Sequence, residues 1–174
     1  MDLKKIISRG RSQQSLFLIL ILTAYSMFAS AGLSQQRTPI KAADPDVSKL
    51  MDVWVAMWNS YDLAQVDRLF LADERVTYFS SEKEGLIRGF EAVRKHHEGF
   101  GFIKGGKVQK NKLWVENLQI DIFGTTAVVA GIWYFERGEA VADKPKVQRG
   151  PVTAVLVNLD GEYRIAHMNF GNYK

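Results

Sequence analysis

From Leu113 onward the chain has room for little but β-structure. Leu113 to Phe123 and Thr126 to Arg137 are strand-length runs rich in Val, Ile, Trp, Tyr and Phe, parted by Gly124. A polar loop carrying Asp143, Lys144 and Pro145 leads to a third run, Val147 to Leu159. Asp160-Gly161 then supplies a hairpin turn, because both central residues of such a turn need positive φ. Tyr163 to Phe170 closes the series. Four strands in sequence, joined by short connections, predict an antiparallel meander.

The residues before this run have a helical period instead. Val47, Leu50, Met51, Trp54, Trp58 and Tyr61 recur at three- and four-residue spacing, which predicts an amphipathic helix with an aromatic stripe. Asp62 starts a second, short helix as its N-cap, with Gln65 placed for a capping box and Leu63, Val66 and Phe70 facing inward. Arg75 to Phe79 predicts a short strand, and the polar residues through Glu84 and Gly85 a loop. Gly89 to Phe100 predicts a third helix, with Phe90, Val93, His97 and Phe100 near one face. Helices segregated from a long antiparallel sheet make residues 46–174 one α+β domain.

Residues 1–31 have another purpose. Lys4, Lys5, Arg9 and Arg11 precede the apolar run Leu16 to Leu22, and Ala29-Ser30-Ala31 is a small-x-small triplet before Gly32. This three-part order predicts a secretory signal peptide, and hence a secreted or periplasmic domain. The uncharged stretch from Ser12 to Gln36 is also long enough for an uncleaved membrane anchor, which is the alternative. Either way the leading positive charges place the domain outside the cytoplasm. Residues 32–45, with Pro39 and Pro45, read as a mobile linker.

Charge and composition remove several functions. The net charge of +4 comes from 23 basic and 19 acidic residues; without residues 1–31 these become 19 and 18, leaving +1. No basic face remains to attract nucleic acid. With no cysteine, disulfides, thiol nucleophiles and Cys-ligated metals are excluded. No phosphate-cradling loop or dinucleotide fingerprint is present, so no cofactor is expected. His96-His97-Glu98 does not make a metal site, because neighbouring helical residues point about 100° apart.

Several strings are similar to one family. Trp58-Asn-Ser-Tyr-Asp62 with Leu69-Phe70, Arg88 to Arg94, Asp121 to Val129, and Asp160-Gly-Glu-Tyr-Arg-Ile-Ala-His167 resemble successive parts of the nuclear transport factor 2-like superfamily, in its SnoaL-like (ketosteroid-isomerase-like) branch. The resemblance implies a cone: a strongly bent antiparallel sheet wrapped around three N-terminal helices, with a pocket at the open end. It also implies a homodimer formed through the outer face of the sheet. The family's last strand often carries two His residues one apart; here the second position is Asn169.

The candidate site residues follow from strand parity and aromatic content. By two-residue alternation Tyr163, Ile165, His167 and Asn169 share one face, so His167 is the candidate general base and Asn169 a polar ligand contact. Arg149, Pro151, Thr153 and Val155 share another. If it faces inward, Arg149 meets an anionic group. Trp54, Trp58, Tyr61, Tyr78 and Trp133 are candidates to line an apolar pocket, with His97 at its rim, although each also serves as core packing. Asp121 has the parity of Leu113 and Val115, and Glu116 the opposite one; both read as solvated acids.

Three functions fit these residues. One is an exported domain that binds a small apolar molecule. The second is a cofactor-independent isomerase, dehydratase or cyclase using His167. The third is a dimerising interaction module of the cell envelope. The membrane is a partner only through an uncleaved N-terminal segment.

Overall fold

The computed structural model describes residues 44–142 and 144–173. The predicted signal peptide and all but the end of the predicted linker lie outside the described residues. Among those described, no helix is long and apolar enough to cross a membrane.

Helix α1 spans Pro45–Ser60. Its start takes in the end of the predicted linker. Asp44 is the N-cap, its Oδ1 accepting from Asp46 N at 3.0 Å, and Pro45 occupies the first turn, where its missing N–H costs nothing. Val47, Met51, Trp54, Met57 and Trp58 form the buried stripe. The helix stops at Tyr61, which is left-handed at φ 54. That conformation is unfavourable for a residue with a Cβ. It is held by a stack on Phe102 at 4.7 Å and by Asn111 Nδ2 donating to the phenol oxygen.

Helix α2, Leu63–Leu69, is capped by Asp62 as predicted. The capping box is not completed by Gln65. Instead Asp62 Oδ1 accepts from Ala64 N at 3.0 Å and from Gly105 N at 2.9 Å, so one carboxylate ties the helix start to the loop after the third helix. That third helix, α3, spans Phe90–Gly99.

The six strands are β1 Thr77–Phe79, β2 Ile87–Arg88, β3 Lys112–Phe123, β4 Thr126–Glu136, β5 Val147–Leu159 and β6 Glu162–Phe170. They form one sheet in the order β2-β1-β6-β5-β4-β3. The predicted meander is its larger part. β1 joins β6 in parallel, so the sheet is mixed rather than purely antiparallel. β2 lies within the expected polar loop; two residues paired with Thr77 and Tyr78 carry no local strand signal. Asp160 and Gly161 both have positive φ, as the turn demands.

Two bulges decide which residues enter the cone. In β3 the register shifts between Glu116 and Gln119, with Asn117 at φ 56. In β6, Val155 faces His167 but Leu156 faces Ile165, so Ala166 is the extra residue. A one-residue bulge reverses parity beyond it. Tyr163, Ile165, Met168 and Phe170 are therefore the buried side of β6, together with Ala127, Val129, Trp133, Val152, Ala154 and Leu156.

Candidate functional site

The inside of the cone is aromatic. Trp58 from α1 and Trp133 from β4 both stack on Phe170 of β6, with centroids 5.7 and 4.2 Å apart. Phe100 and Phe102, after α3, meet Trp58 edge-on at 5.6 and 5.1 Å. These rings fill most of the space that the sequence assigned to a pocket. What remains is a cleft of about 30 Å³ between Trp58, Phe100, Trp133, Phe135 and Phe170, rimmed by Ser80, Ser81, Glu82 and Gln148. It shares Glu82, Phe100 and Phe135 with an open groove of about 550 Å³, whose wall includes Tyr61, Lys110, Asn111, Arg137, Glu139 and Lys144.

Beneath the cleft lies a group of polar atoms with no protein partner. His97 is fully buried, and its Nδ1 donates to the Val93 carbonyl at 2.8 Å. That bond leaves Nε2 as a bare acceptor. Burial pushes the imidazole pKa down to about 4, so it is neutral near pH 7. The Tyr78 ring sits 5.4 Å from His96 and 5.5 Å from His97. Its hydroxyl has no partner, and burial raises its pKa. Trp58 Nε1, Trp54 Nε1 and His96 Nε2 are likewise unpaired within the protein. Burial, aided by Lys83, lowers the His96 pKa. Buried polar groups without a partner are few in a folded protein, and each calls for an explanation. Trp133 differs, since its Nε1 donates to Gly171 O at 2.7 Å.

The mouth of the cleft is built around Arg137, only 8% exposed. Its Nη1 donates to Pro145 O at 2.7 Å and its Nη2 to Gln148 Oε1 at 2.6 Å. The guanidinium carbon lies 5.7 Å from the Phe135 ring centre. Glu82, from the loop between β1 and β2, reaches over it: Oε1 is 3.6 Å from Nη2, while Oε2 accepts from Lys144 Nζ at 2.7 Å.

The structure brings Trp58, Tyr61, Tyr78, His97 and Trp133 to the cone interior or its mouth. Trp54 belongs to the deep core, edge-on to Phe170. His167, Asn169 and Arg149 do not join them. The Ala166 bulge turns His167 and Asn169 to the outer face, where Thr77 Oγ1 and His167 Nδ1 share a hydrogen bond of 2.7 Å. Burial there lowers the His167 pKa. Asn169 lines a shallow outer groove with Phe79 and the Ser80–Gly85 loop. Arg149 alternates with buried Gly150 and Val152, so it faces out and is exposed. The β3 bulge puts Asp121 on the outer face beside Glu116 rather than opposite it.

Arg137, Glu82 and Gln148 escaped the sequence reading, as did Phe100, Phe135 and Phe170 as cleft residues, while His96 was weighed only as a metal ligand. Arg137 was legible, because two-residue alternation from Trp133 through Phe135 reaches it. Glu82 comes from a loop and has no periodicity to betray it.

A family model for the SnoaL-like domain matches residues 47–170. Among solved structures, the fold is similar to a nuclear transport factor 2-like superfamily protein from Salmonella enterica serovar Typhimurium, at 16% identity over 74% of this chain and 89% of that one, TM-score 0.61. It is also similar to a nuclear transport factor 2-like protein of unknown function from Pseudomonas putida, at 14% identity over 72% and 82%, TM-score 0.60. A protein with a cystatin-like fold from Caulobacter vibrioides gives 14% identity over 74% and 88%, TM-score 0.60. At such identities the likeness is one of fold alone. No curated protein matches the chain significantly.

Proposed function

The chain belongs to the SnoaL-like domain family, and from that premise we propose that it is an exported domain binding a small, mainly apolar molecule at the mouth of its cone. One observation carries this reading. The aromatic cleft of Trp58, Phe100, Trp133, Phe135 and Phe170 opens into the larger groove through a polar rim. A groove of about 550 Å³ suits a small ligand, and aromatic walls with a few polar anchors are the usual makeup of such sites. The ligand's body lies along the groove with its apolar end against the aromatic cleft. Export follows from the signal-like residues 1–31.

The test is native mass spectrometry of protein expressed with its own leader and recovered from the periplasm. The expected result is a chain beginning at Gly32 that carries an extra small mass, lost from a Trp58→Ala variant. A chain recovered only from the cytoplasm removes export. A bare chain from its native host removes the ligand.

A second reading, a cofactor-independent isomerase, dehydratase or cyclase, is favoured by one pair of atoms. His97 Nε2 is an unpaired base and Tyr78 Oη an unpaired donor, on rings 5.5 Å apart. The imidazole would accept a substrate proton while the phenol donates to the oxygen on which charge develops. This pair takes the role expected of His167. Conversion of the recovered ligand by wild type but not by Tyr78→Phe supports it; an unchanged ligand counts against it.

The outer face of the sheet carries Phe79, Val128, Ala130, Thr153 and Val155, with the charged Glu116, Asp121 and Arg149 on the same face. It is the surface through which a homodimer would form, and an envelope partner would compete for the same surface.

A further inference from the structure

We propose that Arg137 anchors an anionic group of the ligand and that Glu82 stands in for that group until a ligand arrives. The site then takes a small molecule with a flat apolar body and one carboxylate or similar anion. This inference rests on the ligand-binding reading above and narrows it.

Arg137 and His97 are the two buried polar residues among those described. Burying a guanidinium calls for a close counter-charge. Arg137 has one in Glu82, but as an ion pair without a hydrogen bond. Its two short hydrogen bonds go to neutral acceptors, Pro145 O and Gln148 Oε1. Its carboxylate neighbour, Glu82, is 3.6 Å away, beyond hydrogen-bond reach, and is held more closely by Lys144. A guanidinium is shaped for two parallel bonds to one carboxylate at about 2.7–2.9 Å, an arrangement roughly twice as strong as a neutral pair. Glu82 offers a single long contact instead.

Glu82 also stands where a ligand must pass, since it lines both the cleft and the groove. It belongs to a loop tied down locally by Glu82 N donating to Ser80 Oγ and by Asn172 Nδ2 donating to Ser81 O. The groove favours an anion even with Glu82 in place. Arg137, Lys110 and Lys144 face Glu82 and Glu139 there, and Lys110 is paired with Glu139 at 3.0 Å. An incoming carboxylate can take the forked geometry on Arg137 while Glu82 keeps Lys144. The Phe135 ring under the guanidinium leads from that anchor to Phe100 and Trp58, which fixes where the apolar body lies.

The test compares 3-phenylpropionate with its neutral amide on the full-length chain, read by tryptophan emission, because Trp58 and Trp133 line the cleft. The acid is expected to bind, and the amide to bind about tenfold more weakly. Glu82→Gln removes the competing charge and should tighten the acid several-fold more than it changes the amide. Arg137→Gln should abolish the difference between the two. Should that variant fail to fold, the acid–amide pair and Glu82→Gln still decide the matter. Equal binding of acid and amide overturns the anion anchor and leaves the apolar site standing. So does an acid affinity indifferent to Glu82→Gln. Failure of both probes at about 10 mM also overturns it, while the ligand-binding reading is judged separately by the co-purified mass.

Discussion

His97 should make the domain sensitive to mild acid, and replacing it should remove its share of that sensitivity, beside those of His96 and His167. The side chain is wholly buried among Trp58, Phe70, Tyr78 and Phe102, with His96 its titratable neighbour on the same helix. Folded, its pKa is pushed from 6.5 to about 4. Unfolded, it takes a proton near pH 6.5. Between those values the unfolded chain holds the extra proton, so stability rises with pH. The contribution is complete above about pH 6.5 and is lost as pH falls towards 4. Integrated over the window, the loss is about 2 kcal/mol between pH 7 and 5, and about 3 kcal/mol by pH 4. His97→Leu gives up the bond to Val93 O but also removes an unpaired acceptor, so the two proteins should be similarly stable near pH 7.5. At pH 5 the variant should be more stable by about 2 kcal/mol. Urea denaturation followed by tryptophan emission would show this as a midpoint about 1 M higher for the variant. Parallel loss of stability in both proteins from pH 7 to 5 would refute a neutral, buried His97.

Other perturbations test the frame around the site. Gly150→Ala places a Cβ 2.0 Å from Gly171 O, a backbone atom that cannot step aside, so a loss above about 2 kcal/mol is expected in chemical denaturation. Gly161→Ala meets nothing within 4 Å but sits at φ +95, and should cost only about 1 kcal/mol by the same measure. Equal losses would mean that the close approach of β5 to the chain after β6 is not tight. Asp62→Ala removes the cap of α2 and the tie to Gly105, with an expected fall of about 1–2 kcal/mol and faster amide exchange at Gly105. Val128→Asp should turn a dimer into a monomer by sedimentation without changing the far-ultraviolet spectrum; an unchanged mass would place any self-association elsewhere.

Local rules were legible in the sequence and non-local ones were not. The stripe from Val47 to Trp58 and the Asp160-Gly161 turn depend on residues within one or two turns of each other, and both stand as read. Strand parity also depends on neighbours, but only while every residue has a partner. The extra residues near Asn117 and at Ala166 are imposed by pairing with β4 and β5. They redirect Asp121, His167 and Asn169 without any mark in composition. Apolar burial explains the choice at β6: the bulge keeps Met168 and Phe170 inside, worth about 1.5–3 kcal/mol each, and leaves the polar His167 and Asn169 outside. The site suffered most from this, because its mouth joins Glu82 to Arg137, residues far apart in sequence, while Trp58 and Trp133, which periodicity and strand composition singled out, both line the cleft.

The position of β6 has a consequence for how the chain is made. The last strand of the domain to be synthesised lies inside the sheet, between β1 and β5, and its pairing with β1 closes a span of 90 residues, as the Thr77–His167 bond shows. Contacts of that range make folding slow and late. Until β6 is made, β1 and β2 have no strand to join them to β5, so the sheet is completed only at the end of the domain. Loss of even the final strand would therefore strip the sheet of its centre rather than of an edge.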